Sequence, residues 1–323
     1  MTQTLGSKEM KRIFPHLIVL NVGLLTLSIS AAELSLRNEA ADRLQQQIDK
    51  ASNGATIDVD AGTYIGSLVL PEGISLNGRD VDRCLIIGDI QVMDLPSAEK
   101  ISVLQNLTLF HAGGRGSTLI SMSSSRVRIR NCILVSNGGF ATVQANDGAH
   151  LTLRNTIVVG PVGGYAAFSR RNGTVEIANC TLVSRGFGVG LMDNSRAKIR
   201  DCLFTGSHKI AVIRTNAEYE ISYCNISLGR GSFYGNHEFI DGSVRLRDPA
   251  NYPDNPSPKE LTNRDHGGYD NPGLTFREHH PPTKISLAAF RENQPEFAID
   301  SGSPRAGGAN NTLGAFGGVE PNW

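Results

Sequence analysis

The chain has 323 residues, a formal net charge of zero and a hydrophobic fraction of 40%. This balance excludes an intrinsically disordered chain, which has few apolar residues and a high net charge, and the length fits one elongated domain. The neutral total hides a basic centre, because residues 115–214 contain 13 lysines or arginines against 4 aspartates or glutamates.

Residues 1–32 have the layout of a secretory signal peptide. A basic segment ending at Arg12 precedes an apolar stretch from Ile13 to Ile29, and small residues follow it. The stretch is short for a membrane span and contains a proline, a histidine and an asparagine. We therefore expect no stable membrane insertion after processing, with a retained anchor as the alternative. The sequence predicts a secreted protein or one of the periplasm or cell envelope.

Residues 39–52 are predicted to form a short amphipathic helix. Leu44 and Ile48 are four residues apart, so they share one helical face. An open sheet edge invites pairing with other chains, and the end of a solenoid needs a cap. We expect this helix to cover the first coil of the repeat that follows.

One short pattern recurs between residues 103 and 227: apolar alternation, a polar residue that is almost always Asn, then Cys or Thr, and then apolar alternation again. The polar residues are 25, 24, 24, 22 and 22 positions apart, and a fixed period in this range indicates a solenoid. Alternation with a period of two and no helical periodicity means that each unit is made of strands and turns. Stacked units of this kind form a parallel β-helix. The polar positions are Asn106, Asn131, Asn155, Asn179, Asp201 and Tyr223.

Stacking predicts a structural ladder at one turn, in which the asparagine amides hydrogen-bond to one another and satisfy buried backbone. Its members are Asn106, Asn131, Asn155, Asn179 and Asp201. The next position holds four of the five cysteines, and small side chains there fill a narrow interior. We interpret them as free thiols of the core, because an odd number fits a disulfide framework poorly. A disulfide between stacked neighbours such as Cys180 and Cys202 is the alternative.

The repeat decays after Tyr223. Residues 229–283 contain seven of the 14 prolines together with many Gly, Asn and Asp residues, which is typical of a long loop excursion. We therefore divide the chain into a signal peptide at 1–32, a β-helix with its cap at 33–228, and an excursion with C-terminal closure of the same domain at 229–323.

Three segments resemble the secreted right-handed parallel β-helix proteins of the pectate-lyase-like superfamily. Residues 44–64 are similar to the capping helix and first strand, residues 70–78 to the next coil, and residues 298–317 to the C-terminal closure of many bacterial β-helix proteins. The resemblance implies an all-β, single-stranded, right-handed parallel β-helix that binds polymer along the outer face of its first strand. It does not imply one activity, because the superfamily includes lyases, hydrolases, esterases, epimerases and proteins with no known catalysis.

The resemblance also implies that the asparagine turn joins the second and third strands of each coil. The first strands then lie near residues 118–122, 141–145, 166–170, 189–193 and 211–215. Alternation points one column of side chains outward, formed by Ser121, Gln144, Ser169, Met192 and Arg214. The adjoining turns add Asn146, Asp147, Arg170, Arg171, Asp193, Asn194, His208 and Lys209.

A lyase that acts on a uronic acid polymer needs a cation for the carboxylate, a base for the C5 proton and an acid for the leaving oxygen. Lys209 and Arg214 are the first candidates for base or carboxylate clamp. The full catalytic set is Lys209, Arg214, Arg170 and Asp193. The predicted substrate-binding residues are Gln144, Asn146, Asp147, Ser169, Arg171, Asn194 and His208. The alternative is that all of these are solvated turn residues.

Other chemistries have weaker support in the sequence. Asp147 and Asp193 are two coils apart, roughly 9.6 Å, which suits an inverting hydrolase, yet the signatures of the pectin-hydrolysing and esterase branches are missing. No metal site is predicted in the central coils and no cofactor is expected, although calcium is not excluded. Acidic residues such as Asp254, Asp265 and Asp270 are explained more simply by Asx turns.

A second basic surface lies beside the asparagine turn, where Arg128, Arg130, Arg154, Lys198 and Arg200 alternate outward. Like charges on adjacent strands destabilise a sheet unless Glu176, Glu220, solvent or a polyanion offsets them. Nucleic acid is not expected as a partner, because we expect the chain to be exported and it lacks a row of aromatic residues for stacking on bases.

The sequence thus predicts an exported, carbohydrate-active β-helix protein that binds an extended acidic polysaccharide along its first sheet. Cleavage by β-elimination is the expected reaction if the protein is catalytic. A non-catalytic envelope or surface module is the alternative, and a hydrolase or esterase is less favoured. The oligomeric state is not predicted.

Overall fold

The computed structural model describes residues 31–94, 101–111, 116–161, 163–184, 186–205, 209–213, 216–227, 234–235 and 244–246. Over these residues the chain forms one helix and 24 strands, and the strands stack as a parallel β-solenoid of about six turns. This confirms the predicted fold class of a parallel β-helix with a short N-terminal capping helix. Most of the predicted signal peptide, residues 1–30, lies outside the described residues.

Each coil contributes one strand to each of three faces, which we name sheets A, B and C. In sheet A the neighbouring strands run parallel to one another. Its strands are β1 (Thr56–Val59), β4 (Ser75–Gly78), β7 (Ser102–Gln105), β10 (Arg126–Arg130), β13 (His150–Arg154), β16 (Thr174–Ala178) and β19 (Arg196–Arg200).

Sheet B follows sheet A in each coil and sheet C follows sheet B. The strands of sheet B are β2 (Gly62–Ile65), β5 (Cys84–Ile87), β8 (Thr108–His111), β11 (Ile133–Ser136), β14 (Ile157–Val159), β17 (Thr181–Val183) and β20 (Leu203–Thr205). The strands of sheet C are β3 (Leu68–Pro71), β6 (Ile90–Met93), β9 (Thr118–Ser123), β12 (Ala141–Asn146), β15 (Tyr165–Ser169), β18 (Phe187–Leu191), β21 (Lys209–Ile213) and β23 (Tyr234–Gly235).

The last described coils differ from the others. Strand β22 (Glu218–Ser227) runs without a break through Tyr223, where earlier coils turn, and so pairs with both β19 of sheet A and β20 of sheet B. Strand β24 (Val244–Leu246) then pairs with β22, and β23 pairs with β21. Parallel pairing of strands therefore continues past residue 228, where we expected a loop excursion to begin.

The asparagine turn between sheets A and B stacks as the sequence predicts. All five ladder residues have a left-handed φ, between +44° at Asn155 and +56° at Asn106. The backbone N–H groups of Asn106, Asn131, Asn155 and Asn179 each donate to a carbonyl of the next coil, at 3.2–3.4 Å. Asparagine suits this position because, among residues with a side chain, it tolerates the left-handed region well. Its amide also bonds along the stack, as where Asn106 Nδ2 donates to Asn77 Oδ1 at 3.1 Å.

Helix α1 (Ala31–Lys50) caps the first coil. It packs against β1, β2 and β3, and Leu44 and Ile48 are buried beneath it as predicted. The Gln45 amide replaces a missing neighbouring strand, since its Nε2 donates to the Val69 carbonyl at 3.0 Å and its Oε1 accepts from the Val69 N–H at 2.9 Å. The helix thus satisfies backbone groups of an edge that would otherwise be open. No helix among the described residues is long and apolar enough to cross a membrane.

The interior is filled by alternating aliphatic side chains, and the cysteines belong to it. All five cysteines of the chain are buried free thiols, as predicted. Strands β8, β11, β14 and β17 of sheet B are buried on both faces. Their outward side chains are also apolar: Phe110, Ile133, Val135, Ile157 and Val159 are at most 1% exposed. Polar side chains suited to binding are therefore found on sheets A and C and at their shared corner.

Candidate functional site

Sheet C lies where the first strands were predicted. Strands β9, β12, β15, β18 and β21 overlap all five expected ranges to within a few residues. Gln144 pairs in register with Ser121 on one side and with Phe168 on the other, and Phe168 pairs with Gly190. The outward column is therefore Ser121, Gln144, Phe168 and Gly190, and the backbone of Val212 pairs next in register.

The predicted outward position of Ser169 is wrong. Ser169 pairs with Ala145 and Leu191 on the inner side of sheet C, is 0% exposed, and its hydroxyl has no hydrogen-bond partner. The reason is a local break in alternation, because Ala166 and Ala167 both face the interior and shift the residues after them by one place. Met192, placed in the same column, follows the end of β18.

Aromatic side chains occupy the middle of sheet C, a feature that the sequence reasoning missed. Phe140, Tyr165, Phe168 and Phe187 form a cluster with ring centroids 4.6–5.3 Å apart. Gly190 makes room for it, since a Cβ there would lie 2.6 Å from ring atoms of both Tyr165 and Phe168. The predicted polar column is therefore interrupted by closely packed rings after Gln144.

The polar side chains gather instead at the turns between sheets C and A, which we call the C–A corner. Gln144 Nε2 and Arg170 Nε both donate to Asn146 Oδ1, at 3.0 and 3.1 Å. Thr118 Oγ1 in turn donates to Gln144 Oε1 at 3.0 Å. One continuous network thus joins side chains from three successive coils.

A second network lies beside the first. Asp147 Oδ2 accepts from Ser123 Oγ at 2.9 Å, and Asp147 Oδ1 lies 3.3 Å from Arg171 Nη1. The hydrogen bond from Ser123 and the contact with Arg171 lower the pKa of Asp147, against the opposing effect of its desolvation. Asp147 is therefore a carboxylate at neutral pH and not a general acid.

Turn geometry accounts for several of the candidates at this corner. Asp147, Arg171, Asp193 and Asn194 all have a left-handed φ, between +52° and +59°. The turns stack, since Gly148 N–H donates to the Arg171 carbonyl and Asn172 N–H to the Asp193 carbonyl, each at 2.9 Å. Asp and Asn are favoured in such turns for conformational reasons alone, which supports the structural interpretation of Asp193 and Asn194.

The structure brings together some of the predicted residues and leaves others untested. Gln144, Asn146, Asp147, Arg170 and Arg171 meet at the C–A corner, and Asp193 lies one coil further along. For Lys209 only the backbone is described, in β21. His208 and Arg214 lie outside the described residues.

Sheet A carries the second basic surface. Gln105, Arg130, Arg154, Ala178 and Arg200 follow one another in register along one column. A cavity of about 250 Å³, which we call the sheet A pocket, opens where Ala178 interrupts the arginines. It is lined by Thr152, Arg154, Glu176, Ile177, Ala178, Lys198 and Arg200.

Acidic neighbours offset part of this charge, as expected for Glu220. Lys198 Nζ lies 3.4 Å from Glu220 Oε2, and Arg196 Nε lies 3.1 Å from Glu218 Oε2. Glu176 has a weaker partner in His150, at 3.8 Å. The guanidinium groups of Arg154 and Arg200 form no ion pair or hydrogen bond with other residues of the described coils, so the two opposite walls of the pocket keep their positive charge.

Metal-ligating side chains are not grouped in the described coils, where no three His, Cys, Asp or Glu residues are placed to hold an ion. The acidic residues at 254, 265 and 270 lie outside the described residues. Comparison with known proteins gives no relative: no protein-family model, no curated protein and no solved structure matches the chain.

Proposed function

We propose that the protein is exported and binds an extended anionic polysaccharide along the C–A corner of its solenoid. The observation that carries the proposal is the network of Gln144, Asn146 and Arg170, whose side chains are ordered by hydrogen bonds across successive coils. Ordering these groups before binding reduces the entropy lost on association. Amide groups bind sugar hydroxyls, and guanidinium groups bind carboxylates or sulfates.

The geometry of the solenoid supports an extended ligand. Equivalent turns repeat at the spacing of parallel strands, about 4.8 Å, so a linear chain that runs along the axis meets similar polar groups coil after coil. The excess of cations over residues 115–214 favours an anionic chain over a neutral one.

The C–A corner could serve either to bind the polysaccharide alone or to bind and cleave it. For β-elimination, Arg170 would offset the carboxylate next to the bond that breaks, while a base must come from elsewhere in the site. Asp147 is not suited to donate the proton to the leaving oxygen, because its pKa is lowered. The alternative of a binding module without catalysis requires only the ordered corner.

A panel of pectate, alginate and glycosaminoglycans tests the proposal with the full chain. Binding is measured by affinity electrophoresis, and cleavage by the absorbance of newly formed unsaturated uronates. We expect Asn146→Ala and Arg170→Gln to weaken binding of the polymer that binds by about tenfold each, as for loss of a hydrogen bond to a charged group. Binding with unchanged absorbance assigns the protein to the non-catalytic alternative.

Arg79→Gln is the matched control. Arg79 is an exposed arginine near the N-terminal end of the solenoid, paired with Asp60 at 3.1 Å, so its loss changes net charge by the same amount as Arg170→Gln. Equal weakening in both arginine variants would mean diffuse attraction, and lack of binding to every polymer would reject the proposal.

A further inference from the structure

The sheet A pocket exists because one position in a column of arginines is an alanine. Arg154, Ala178 and Arg200 occupy the same register position on β13, β16 and β19. Two strand spacings separate the arginines, roughly 9.6 Å between their backbones. Long guanidinium side chains therefore face one another across a gap floored by Ala178 and Ile177, with Thr152 and Glu176 at the side.

The charges around the gap are unequal. Arg154 and Arg200 are exposed and form no ion pair with the described residues, whereas Lys198 is held by Glu220 at 3.4 Å. Glu176 is the one acidic residue among those that line the pocket. A bare anion would be attracted by two guanidinium groups and repelled by this carboxylate. An anion that also carries hydroxyl groups can instead donate a hydrogen bond to Glu176.

We propose that the sheet A pocket binds a single anionic sugar residue, with its carboxylate or sulfate ester between Arg154 and Arg200 and its hydroxyl groups donating to Glu176. Arginine suits this role because its planar fork matches two oxygens of an oxyanion. The volume of about 250 Å³ is just below the roughly 300–1,000 Å³ of sites for drug-sized ligands, so it holds one sugar residue and not a longer chain.

This site is separate from the C–A corner. The corner lies where sheet C leads into sheet A, before β13 and β16, whereas Arg154, Ala178 and Arg200 are the last residues of their strands, beside the asparagine turn. Four residue steps of strand, roughly 13 Å, separate the two edges of sheet A. The pocket can therefore be altered without touching Asn146 or Arg170.

Four small probes test the pocket with the full chain by saturation-transfer NMR and calorimetry: glucuronate, glucose 6-sulfate, glucose and inorganic sulfate. We expect both anionic sugars to bind, with the tighter of the two identifying the anion, while glucose shows no binding and inorganic sulfate binds more weakly than either. Binding of glucose as strong as that of the anionic sugars, or of inorganic sulfate as strong as that of glucose 6-sulfate, would overturn the proposal.

Two variants remove the pocket in different ways. The double variant Arg154→Gln, Arg200→Gln removes the charge, and Ala178→Leu fills the gap while it leaves the charge in place. We expect each to raise the dissociation constant for the preferred anionic sugar by about tenfold or more. All three positions face outward, so the melting temperature checks that the variants fold. If Ala178→Leu folds and binds as before, the sugar is not in the pocket.

Two controls separate this proposal from diffuse attraction and from the C–A corner. Arg128→Gln removes an exposed arginine of the same sheet that does not line the pocket, and Arg170→Gln alters the corner. Monosaccharide binding that survives both supports the pocket. Monosaccharide binding lost in Arg170→Gln but kept in Ala178→Leu rejects the pocket and leaves the proposed polymer site standing.

Discussion

Asp147 and Arg171 lie in stacked left-handed turns of successive coils, with Asp147 Oδ1 3.3 Å from Arg171 Nη1. Ser123, from the coil on the other side, donates to the second carboxylate oxygen at 2.9 Å. One aspartate thus links three coils at the C–A corner. Because a left-handed arginine is conformationally unfavourable, the ion pair and the stacked backbone hold Arg171 in a position that its own preference would not select.

The pKa of Asp147 provides a direct test of this link. It lies below the ordinary value of 3.8, with the Ser123 hydrogen bond as the largest cause and Arg171 next among those that lower it. We expect Ser123→Ala and Arg171→Gln each to raise the pKa of Asp147 toward 3.8. Carboxyl chemical shifts followed by NMR against pH measure both effects.

The lowered pKa of Asp147 also fixes the direction in which the stability of the fold changes with pH. Since the folded protein has the lower pKa, the stabilising contribution of Asp147 is complete above its ordinary pKa and is lost as the pH falls through the lowered value. Asp147→Asn should therefore abolish a small part of the acid sensitivity of unfolding. A pKa for Asp147 that is the same in the wild type and in Ser123→Ala would contradict the assigned geometry.

Alanine and glycine replacements in the asparagine ladder test whether the left-handed backbone explains the choice of asparagine. Asn155 has φ = +44° in a buried turn. Alanine costs roughly 1–2 kcal/mol in the left-handed region, whereas glycine enters it freely. We expect Asn155→Ala to lower the free energy of unfolding by about this amount and Asn155→Gly to lower it less, as measured by urea denaturation.

Asn77 is the matched position for this test, because it lies inside strand β4 and bonds to Asp58 at 2.8 Å. In a strand, glycine is the less favourable of the two replacements, so the order of Ala and Gly should reverse at Asn77. The same order at both positions would mean that conformation does not explain the choice of asparagine at the turn.

These turns also show why the fold was predictable and the site only partly so. A period of 22–25 residues with a polar residue at a fixed place determines which turns stack, so the stacked asparagine turns and five of the eight sheet C strands follow from the sequence. Which face a side chain occupies depends on unbroken alternation within one strand. In β15, Ala166 and Ala167 both face the interior, so the outward position beside Gln144 is occupied by Phe168 and not by Ser169.

The aromatic cluster carried a signal that could have been found. Tyr165 and Phe187 are 22 residues apart, the local repeat length, and each begins a strand of sheet C. Equivalent positions in adjacent coils contact each other, so two aromatic residues at the repeat interval predict a ring contact. Side-chain networks such as Gln144, Asn146 and Arg170 could not be found this way, because they depend on rotamers and not on register alone.

The buried cysteine column predicts inert thiols. All five cysteines are fully buried, and burial raises the pKa of Cys132 to about 12. The thiolate is the reactive form, and hydrogen bonds with Cys180 and Cys224 lower the pKa of Cys202 against the effect of its burial. Access to the sulfur therefore decides the reactivity. Because every one of the five is 0% exposed, at pH 8 we expect an aromatic disulfide reagent to modify none of the five in the folded protein and all five in denaturant. Arg128→Cys, at an exposed position on sheet A, is the control that should react at once. Rapid modification of a native cysteine would show that the interior opens readily.

Gly190 is expected to be the least replaceable residue in the outward column of sheet C. An added Cβ would lie 2.6 Å from Phe168 Cδ2 and Tyr165 Cε1, and both rings are held by further aromatic contacts. Overpacking of this kind costs roughly 1–3 kcal/mol, so Gly190→Ala should lower the free energy of unfolding by about that amount and weaken the near-ultraviolet circular dichroism of the cluster.

A double variant tests whether contact with the aromatic rings is the cause of the stability lost in Gly190→Ala. Adding Phe168→Leu removes one of the two rings that the new methyl group meets, so the effects of Gly190→Ala and Phe168→Leu should not add. Gly62→Ala is the control, since its Cβ would meet the Tyr64 ring at an ordinary 3.6 Å and should leave stability nearly unchanged. Strictly additive effects of the two changes at 168 and 190 would show that the rings do not lie over Gly190, and the aromatic interruption of sheet C would lose its support.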